Sequence, residues 1–191
     1  KHITLLHQRL SIIDIEGGSQ PMEDTKKTLS IVFNGEIFNH EDLKKDLLKK
    51  NYTFETDHSD TEVLLYMYKE YGKEMLSKLN GMFAFVIYDK ENEVLFIARD
   101  RTGIKPLYYS MQGVEFYFAS ELKTMLEYGL KRELDMQSVA NYLSFQFIPA
   151  PATIFKGMKK LESAHYATYD IKTTKFTIKK YWDISFNEVK K

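Results

Sequence analysis

Asn34, Gly35 and Glu36 stand where an apolar run, Leu29-Ser30-Ile31-Val32-Phe33, gives way to a helical pattern, Glu41-Asp42-Leu43-Lys44-Lys45-Asp46-Leu47-Leu48. The run reads as a buried strand, so an amide, a glycine and a carboxylate are expected at its exposed end. That trio suits one chemistry. An oxyanion hole needs a rigid side-chain donor and an exposed backbone N–H, which Asn34 and Gly35 can supply. Glu36 can hold an ammonium group beside them. An Asn-Gly turn followed by a helix start explains the same residues without chemistry.

Other residues extend the constellation. Arg9, in Arg9-Leu10-Ser11-Ile12-Ile13-Asp14, can present a guanidinium fork to a carboxylate; a surface arginine is the bland alternative. Asp60 opens a helical stripe, where it can take an ammonium or simply answer the helix dipole. Asp57 and Glu62 read as cap and surface residues. Asp100-Arg101-Thr102-Gly103 reads as a tight, structural turn. Nothing here is a convincing nucleophile: there is no cysteine, no Gly-x-Ser-x-Gly elbow, and Ser11 is not N-terminal. His2, His7, His40, His58 and His165 show no ligand spacing, so no metal site is expected.

The elements that must position these groups follow from pattern. Ser59 and Glu62 form a capping box, followed by a stripe of Val63, Leu64, Tyr66, Met67 and Tyr71. A shorter helix holds Met75, Leu76 and Leu79, closed by Gly81. Strands are expected over 83–88 and 94–98, then 107–109 and 116–119, with turns at 89–93 and at Gln112-Gly113. Ser120 is expected to cap a helix toward Tyr128. Asp135 is expected to cap another, with Val139, Ala140, Leu143 and Phe147 facing inward. A last hairpin joins 165–169 to 176–181. Short turns imply antiparallel pairing, and grouped helices imply an α+β fold. The net charge is zero with no basic stripe, which argues against nucleic acid. No apolar run approaches the roughly 18 residues of a membrane span. The absence of cysteine fits a cytoplasmic protein.

Taken together, Arg9 to Asp14, Asn34-Gly35-Glu36-Ile37, Ser59-Asp60-Thr61-Glu62-Val63, Gly81-Met82-Phe83-Ala84-Phe85 and Arg99 to Tyr109 resemble one family. It is the glutamine-hydrolysing domain of asparagine synthetases, class II amidotransferases of the N-terminal-nucleophile hydrolase superfamily. Ala119-Ser120-Glu121-Leu122-Lys123 and Tyr142 to Pro151 are similar to asparagine synthetases in particular. The resemblance implies an αββα sandwich of two antiparallel sheets over residues 1–183, with 184–191 a linker toward a synthetase domain. It implies glutamine as substrate, bound by Arg9, Leu10, Ser11, Ile12, Ile13, Asn34, Gly35, Glu36 and Asp60. In the family, the counterpart of Asp60 holds the α-amino group, and Asn34 and Gly35 correspond to the oxyanion hole.

One departure is plain. The family's nucleophile is an N-terminal cysteine, and Lys1 stands where a chain with that segment would be well under way. We therefore expect a fragment that begins inside the domain and is inactive alone. The family places ATP and Mg²⁺ in the synthetase domain; no cofactor is expected in this chain, which has no Ser-Gly-Gly-x-Asp-Ser loop. Pro149 to Gly157 would face that domain, and a homodimer is left open. Two further readings stand beside this one: an amidotransferase that feeds ammonia to a sugar phosphate or phosphoribosyl group, and a non-catalytic glutamine-binding module.

Overall fold

A computed structural model describes residues 3–8 and 19–185. Arg9, Leu10, Ser11, Ile12 and Ile13 lie outside the described residues, as do 186–191 of the expected linker. Among the described residues, nine strands form two antiparallel sheets. The larger has the order β1 (Met22–Glu23), β2 (Leu29–Ile37), β3 (Gly81–Asp89), β4 (Val94–Arg99), β8 (His165–Asp170) and β9 (Phe176–Lys180). The smaller has the order β6 (Glu115–Ala119), β5 (Tyr108–Gln112) and β7 (Met158–Lys160).

Two apolar layers explain the architecture. Helices α1 (His40–Lys49), α2 (Asp60–Tyr71) and α3 (Met75–Lys78) cover one face of the large sheet. Phe83, Phe85, Ile87 and Phe96 meet Leu43, Leu47, Val63, Leu64 and Met67 there. The opposite face carries Val32, Ala84, Val86 and Ile97 against Tyr109 of the small sheet and Leu107 just before β5. β3 is covered on both faces, which is why its sequence is almost continuously apolar. A fourth layer comes from α4 (Leu122–Glu127), where Met125, Leu130 and Met158 pack with Tyr108 and Tyr117. The result is the expected αββα sandwich.

Asp100 ties the layers together at the end of β4. Its carboxylate is fully buried and accepts from the N–H groups of Phe83 (3.2 Å), Thr102 (3.1 Å), Ile104 (3.0 Å) and Lys105 (3.0 Å), and from the Thr102 hydroxyl. Arg99 beside it donates to the carbonyls of Gly103, Lys105 and Leu161. The turn is thus structural, as its sequence suggests. Burial alone would raise the Asp100 pKa, but the N–H donors of Lys105, Ile104 and Phe83 hold it below the ordinary value. A depressed carboxylate stabilises the fold above its unfolded pKa, and that contribution is lost as pH falls through the folded one. Asp100→Asn should therefore cost about 1–3 kcal/mol at pH 7, the price of mismatched buried donors, with the gap to wild type narrowing in acid. Thermal melts across pH measure this; equal melting at pH 7 would contradict it.

Several expectations are corrected by tertiary contacts. β2 does not end at Phe33 but pairs with β3 through Ile37, so Asn34-Gly35 is strand, not turn. Ser59 caps α2 as expected, but Glu62 is buried rather than exposed. Its carboxylate accepts from the N–H groups of Glu55 and Thr56 and from the Thr56 hydroxyl. Gly81 opens β3 instead of closing α3. The N-cap of α4 is Glu121, without a side-chain bond, not Ser120. Asp135 does cap α5 (Met136–Phe145), accepting from Gln137 and Ser138. The inward face expected of α5 is not inward: Leu143 is 77% and Phe147 58% exposed, and Ala140 is exposed too. Only Ser138 of that helix is buried, because no described layer covers it.

Candidate functional site

The site is built on the open edge of β2. In an antiparallel strand, alternate residues turn their N–H and C=O toward one neighbour. Leu29, Phe33 and Ile37 turn theirs away from β3, and each is met by groups from elsewhere in the chain. Leu29 exchanges bonds with Asp24. The Phe33 N–H donates to Gln20 Oε1 at 2.6 Å, and its carbonyl accepts from His7 Nε2 at 3.1 Å. The Ile37 N–H donates to Asp60 Oδ2 at 3.1 Å, and its carbonyl accepts from His40 Nδ1 at 2.8 Å. Gly35 lies between Phe33 and Ile37 with the same alternation. Its partner opposite is Phe83, whose own N–H and C=O turn the other way, to Asp100. The backbone of Gly35 therefore faces the open edge.

Glycine is required there for a second reason. Gly35 has φ +150°, and a Cβ would lie 2.1 Å from the Met82 carbonyl oxygen and 2.8 Å from Phe83 Cα. Gly81 is its counterpart: a Cβ there would lie 2.3 Å from the Glu36 carbonyl oxygen. The two glycines let β2 and β3 close up beside the site. This role of Gly81 was missed in the sequence, where a glycine after a short helix looks like a cap.

The side chains divide by face. Asn34 shares the inter-sheet face with Val32, opposite Ala84. Its carboxamide is half-buried and makes no hydrogen bond among the described residues, so it is a donor available to a ligand. Glu36 follows on the same face and is exposed. Asp60 reaches the edge from the first turn of α2, positioned by the Ser59 cap and the Ile37 N–H. The structure thus brings Asn34, Gly35, Glu36 and Asp60 together around four residues of one strand. Two clefts, of about 210 and 280 Å³, lie elsewhere, one between Asp135 and the 151–159 segment and one beside β1. Neither cleft is lined by Asn34, Gly35, Glu36 or Asp60.

Burial pushes the Asp60 carboxyl above the ordinary value. The Ile37 N–H, the charge of His40 and the Thr61 N–H oppose that rise, and the charge of Glu36 adds to it. A carboxyl with a raised folded pKa favours folding when protonated, and that contribution fades as pH rises from the unfolded pKa through the folded one. In its ionised form Asp60 therefore works against the ligand-free fold. Asp60→Asn keeps an oxygen for Ile37 and should melt higher than wild type at pH 7, with the two converging in acid. A lower melting temperature for the variant at pH 7 would show that burial does not dominate.

Among the described residues no group of three His, Asp or Glu side chains is placed to hold a metal ion, and no helix is long and apolar enough to cross a membrane.

A family model described as a glutamine amidotransferase domain matches residues 1–182. Asparagine synthetase [glutamine-hydrolyzing] 1 of Bacillus subtilis is 45% identical over 186 residues, which is 97% of this chain and 28% of that protein. A putative asparagine synthetase of Methanocaldococcus jannaschii is 38% identical, over 95% of this chain and 38% of its own length. The chain therefore spans well under half of these curated relatives. Among solved structures, glutamine phosphoribosylpyrophosphate amidotransferase from B. subtilis superposes with a TM-score of 0.55 at 22% identity, over 84% of this chain and 31% of that one. That likeness shows a shared fold. With a match that runs across nearly every residue, the chain belongs to the glutamine amidotransferase domain family and is homologous to the glutamine-hydrolysing part of asparagine synthetases.

Proposed function

We propose that this chain binds glutamine along the open edge of β2 and serves as the ammonia-supplying part of an asparagine synthetase. The observation that carries this reading is the juxtaposition of Gly35's edge-facing backbone, the Asn34 carboxamide, which has no hydrogen bond among the described residues, and the Asp60 carboxylate within one strand's length. Asn34 and Gly35 would donate to the oxygen of the reacting amide as negative charge develops on it. Asp60, with Glu36 assisting, would hold the α-ammonium. Arg9 would take the α-carboxylate, with Leu10, Ser11, Ile12 and Ile13 lining the same subsite. The 191 residues hold no cysteine, so the attacking thiolate would come from chain outside them.

In this reading, released ammonia amidates aspartate in a synthetase domain, where ATP and Mg²⁺ would be bound, and the protein works in the cytoplasm. Residues 184–191 would lead toward that domain. The length of the relatives supports a further domain. So do the exposed Tyr142, Leu143, Phe145 and Phe147, apolar side chains that a neighbouring layer would cover. The similarity to a phosphoribosylpyrophosphate amidotransferase favours no sugar-phosphate acceptor, because it is at 22% identity whereas relatives at 38–45% identity are asparagine synthetases.

Calorimetric titration of the chain with L-glutamine tests the binding half. Binding that is weakened about ten- to a hundredfold by Asp60→Ala is the expected result. Binding that ignores Asp60 would overturn the assignment.

A further inference from the structure

We infer that His40 is a positioning residue for Asp60, and that through Ile37 it sets how strongly the site prefers a ligand with an α-ammonium group. The inference rests on the reading of Asp60 as the ammonium's partner. Ile37 is held on three sides. Its side chain is fully buried beneath α1 and α2. Its N–H donates to Asp60 Oδ2 at 3.1 Å, and its carbonyl accepts from His40 Nδ1 at 2.8 Å. His40 thus carries a proton on Nδ1, since a carbonyl can only accept. The carboxylate and the imidazole, from the first turns of two different helices, clamp the last residue of β2 between them.

The clamp is itself braced. The Phe38 N–H donates to the Asn80 carbonyl at 2.8 Å, Asn39 Oδ1 accepts from the Asn80 N–H at 2.9 Å, and Asn39 Nδ2 donates to the Lys78 carbonyl at 3.0 Å. These bonds fix the turn that delivers His40 to the start of α1. The charge of His40 also acts on Asp60 in the same direction as the Ile37 N–H, toward the ionised form. Without the ring, the Ile37 carbonyl loses its partner, the strand end gains freedom, and Asp60 loses both the fixed N–H and the favourable charge. Asn34 and Gly35 lie further back along the ladder and keep their places.

The test is calorimetric titration of the 191-residue chain with two probes, L-glutamine and 4-carbamoylbutanoate, which is glutamine without its α-amino group. Wild type should prefer glutamine. His40→Ala should weaken glutamine about three- to tenfold, the worth of one hydrogen bond, and leave the des-amino probe unchanged. His40→Asn offers an amide donor near the Nδ1 position and should recover most of the loss. Equal weakening of both probes, no weakening of either, or an asparagine variant no better than alanine would overturn the inference. If wild type binds the two probes equally, Asp60 is not the ammonium's partner and both readings fall together. If wild type discriminates and His40→Ala discriminates by the same factor, only the role of His40 falls. Amide exchange in the ligand-free variant separates the clamp from binding: the Ile37 N–H should exchange several-fold faster, with the Phe33 N–H unchanged. Equal exchange at Ile37 in variant and wild type would overturn the clamp.

Discussion

Gly35→Ala should lower the melting temperature by about 5–20 °C and remove glutamine binding with it. The added methyl meets backbone, not flexible side chains: 2.1 Å to the Met82 carbonyl oxygen and 2.8 Å to Phe83 Cα. Relief requires β2 and β3 to part along their nine-residue ladder. Overpacking of this kind costs about 1–3 kcal/mol, and the unfavourable φ adds about 1–2. The sum is a large fraction of the roughly 5–15 kcal/mol that holds a domain together. Gly81→Ala should behave similarly, because its methyl meets the Glu36 carbonyl oxygen at 2.3 Å. Gly113→Ala is the control: its φ is +61°, but a Cβ there meets nothing within 4 Å, so only the smaller conformational cost applies. Thermal unfolding of the three variants measures the ranking. A Gly35→Ala protein that melts within a degree of wild type would mean that the close approach of the strands is not needed.

Asn34→Ala and Asp60→Ala should fail in different ways. In a domain completed with a cysteine-bearing N-terminal segment, Asn34→Ala should lower kcat for glutamine hydrolysis by about a hundredfold or more, with a smaller change in KM. Its carboxamide would serve charge that appears only in the transition state, where loss of one oxyanion donor typically costs about 10²–10³ in rate. Asp60→Ala should instead raise KM by about ten- to a hundredfold, because it removes a charge-assisted contact made equally before and during reaction. The pair is informative because the two residues reach the same edge from different elements: Asn34 from the strand itself, Asp60 from the first turn of α2. Steady-state kinetics of both variants decide the matter. If Asp60→Ala lowered kcat and left KM unchanged, Asp60 would belong to the chemistry and not to ammonium binding. Asn34→Ala should have little effect on folding, since its side chain makes no hydrogen bond among the described residues, whereas Asp60→Ala also removes the partner of the Ile37 N–H.

Local signals in the chain carried through to the structure where the partners are near neighbours. Ser59 accepts from Glu62 three residues on, and Asp135 accepts from Gln137 and Ser138, so both caps were legible as sequence patterns. The hairpins pairing Asp89 with Val94 and Gln112 with Glu115 close over the turns their composition suggests. The alternation of apolar residues determined which strands would be half-covered and which, like β3, would be covered on both faces. The family motifs pointed to Asn34, Gly35, Glu36 and Asp60, which lie close together at the end of β2.

Tertiary structure decided the rest, wherever a group's partner lies far along the chain. β2 runs on through Asn34-Gly35 because β3, some fifty residues later, supplies a ladder, and because Gln20, Asp60 and His40 occupy its outer edge. Glu62 is buried because the 55–56 segment folds over it with three donors. Gly81 matters for the carbonyl of Glu36, 45 positions earlier, and not for the helix beside it. The apolar stripe of α5 stays exposed because periodicity specifies a face but not what covers it. Short-range pattern reflects contacts within about one helical turn or one hairpin, whereas hydrogen-bond partners across a sheet or between layers are chosen only when the chain packs.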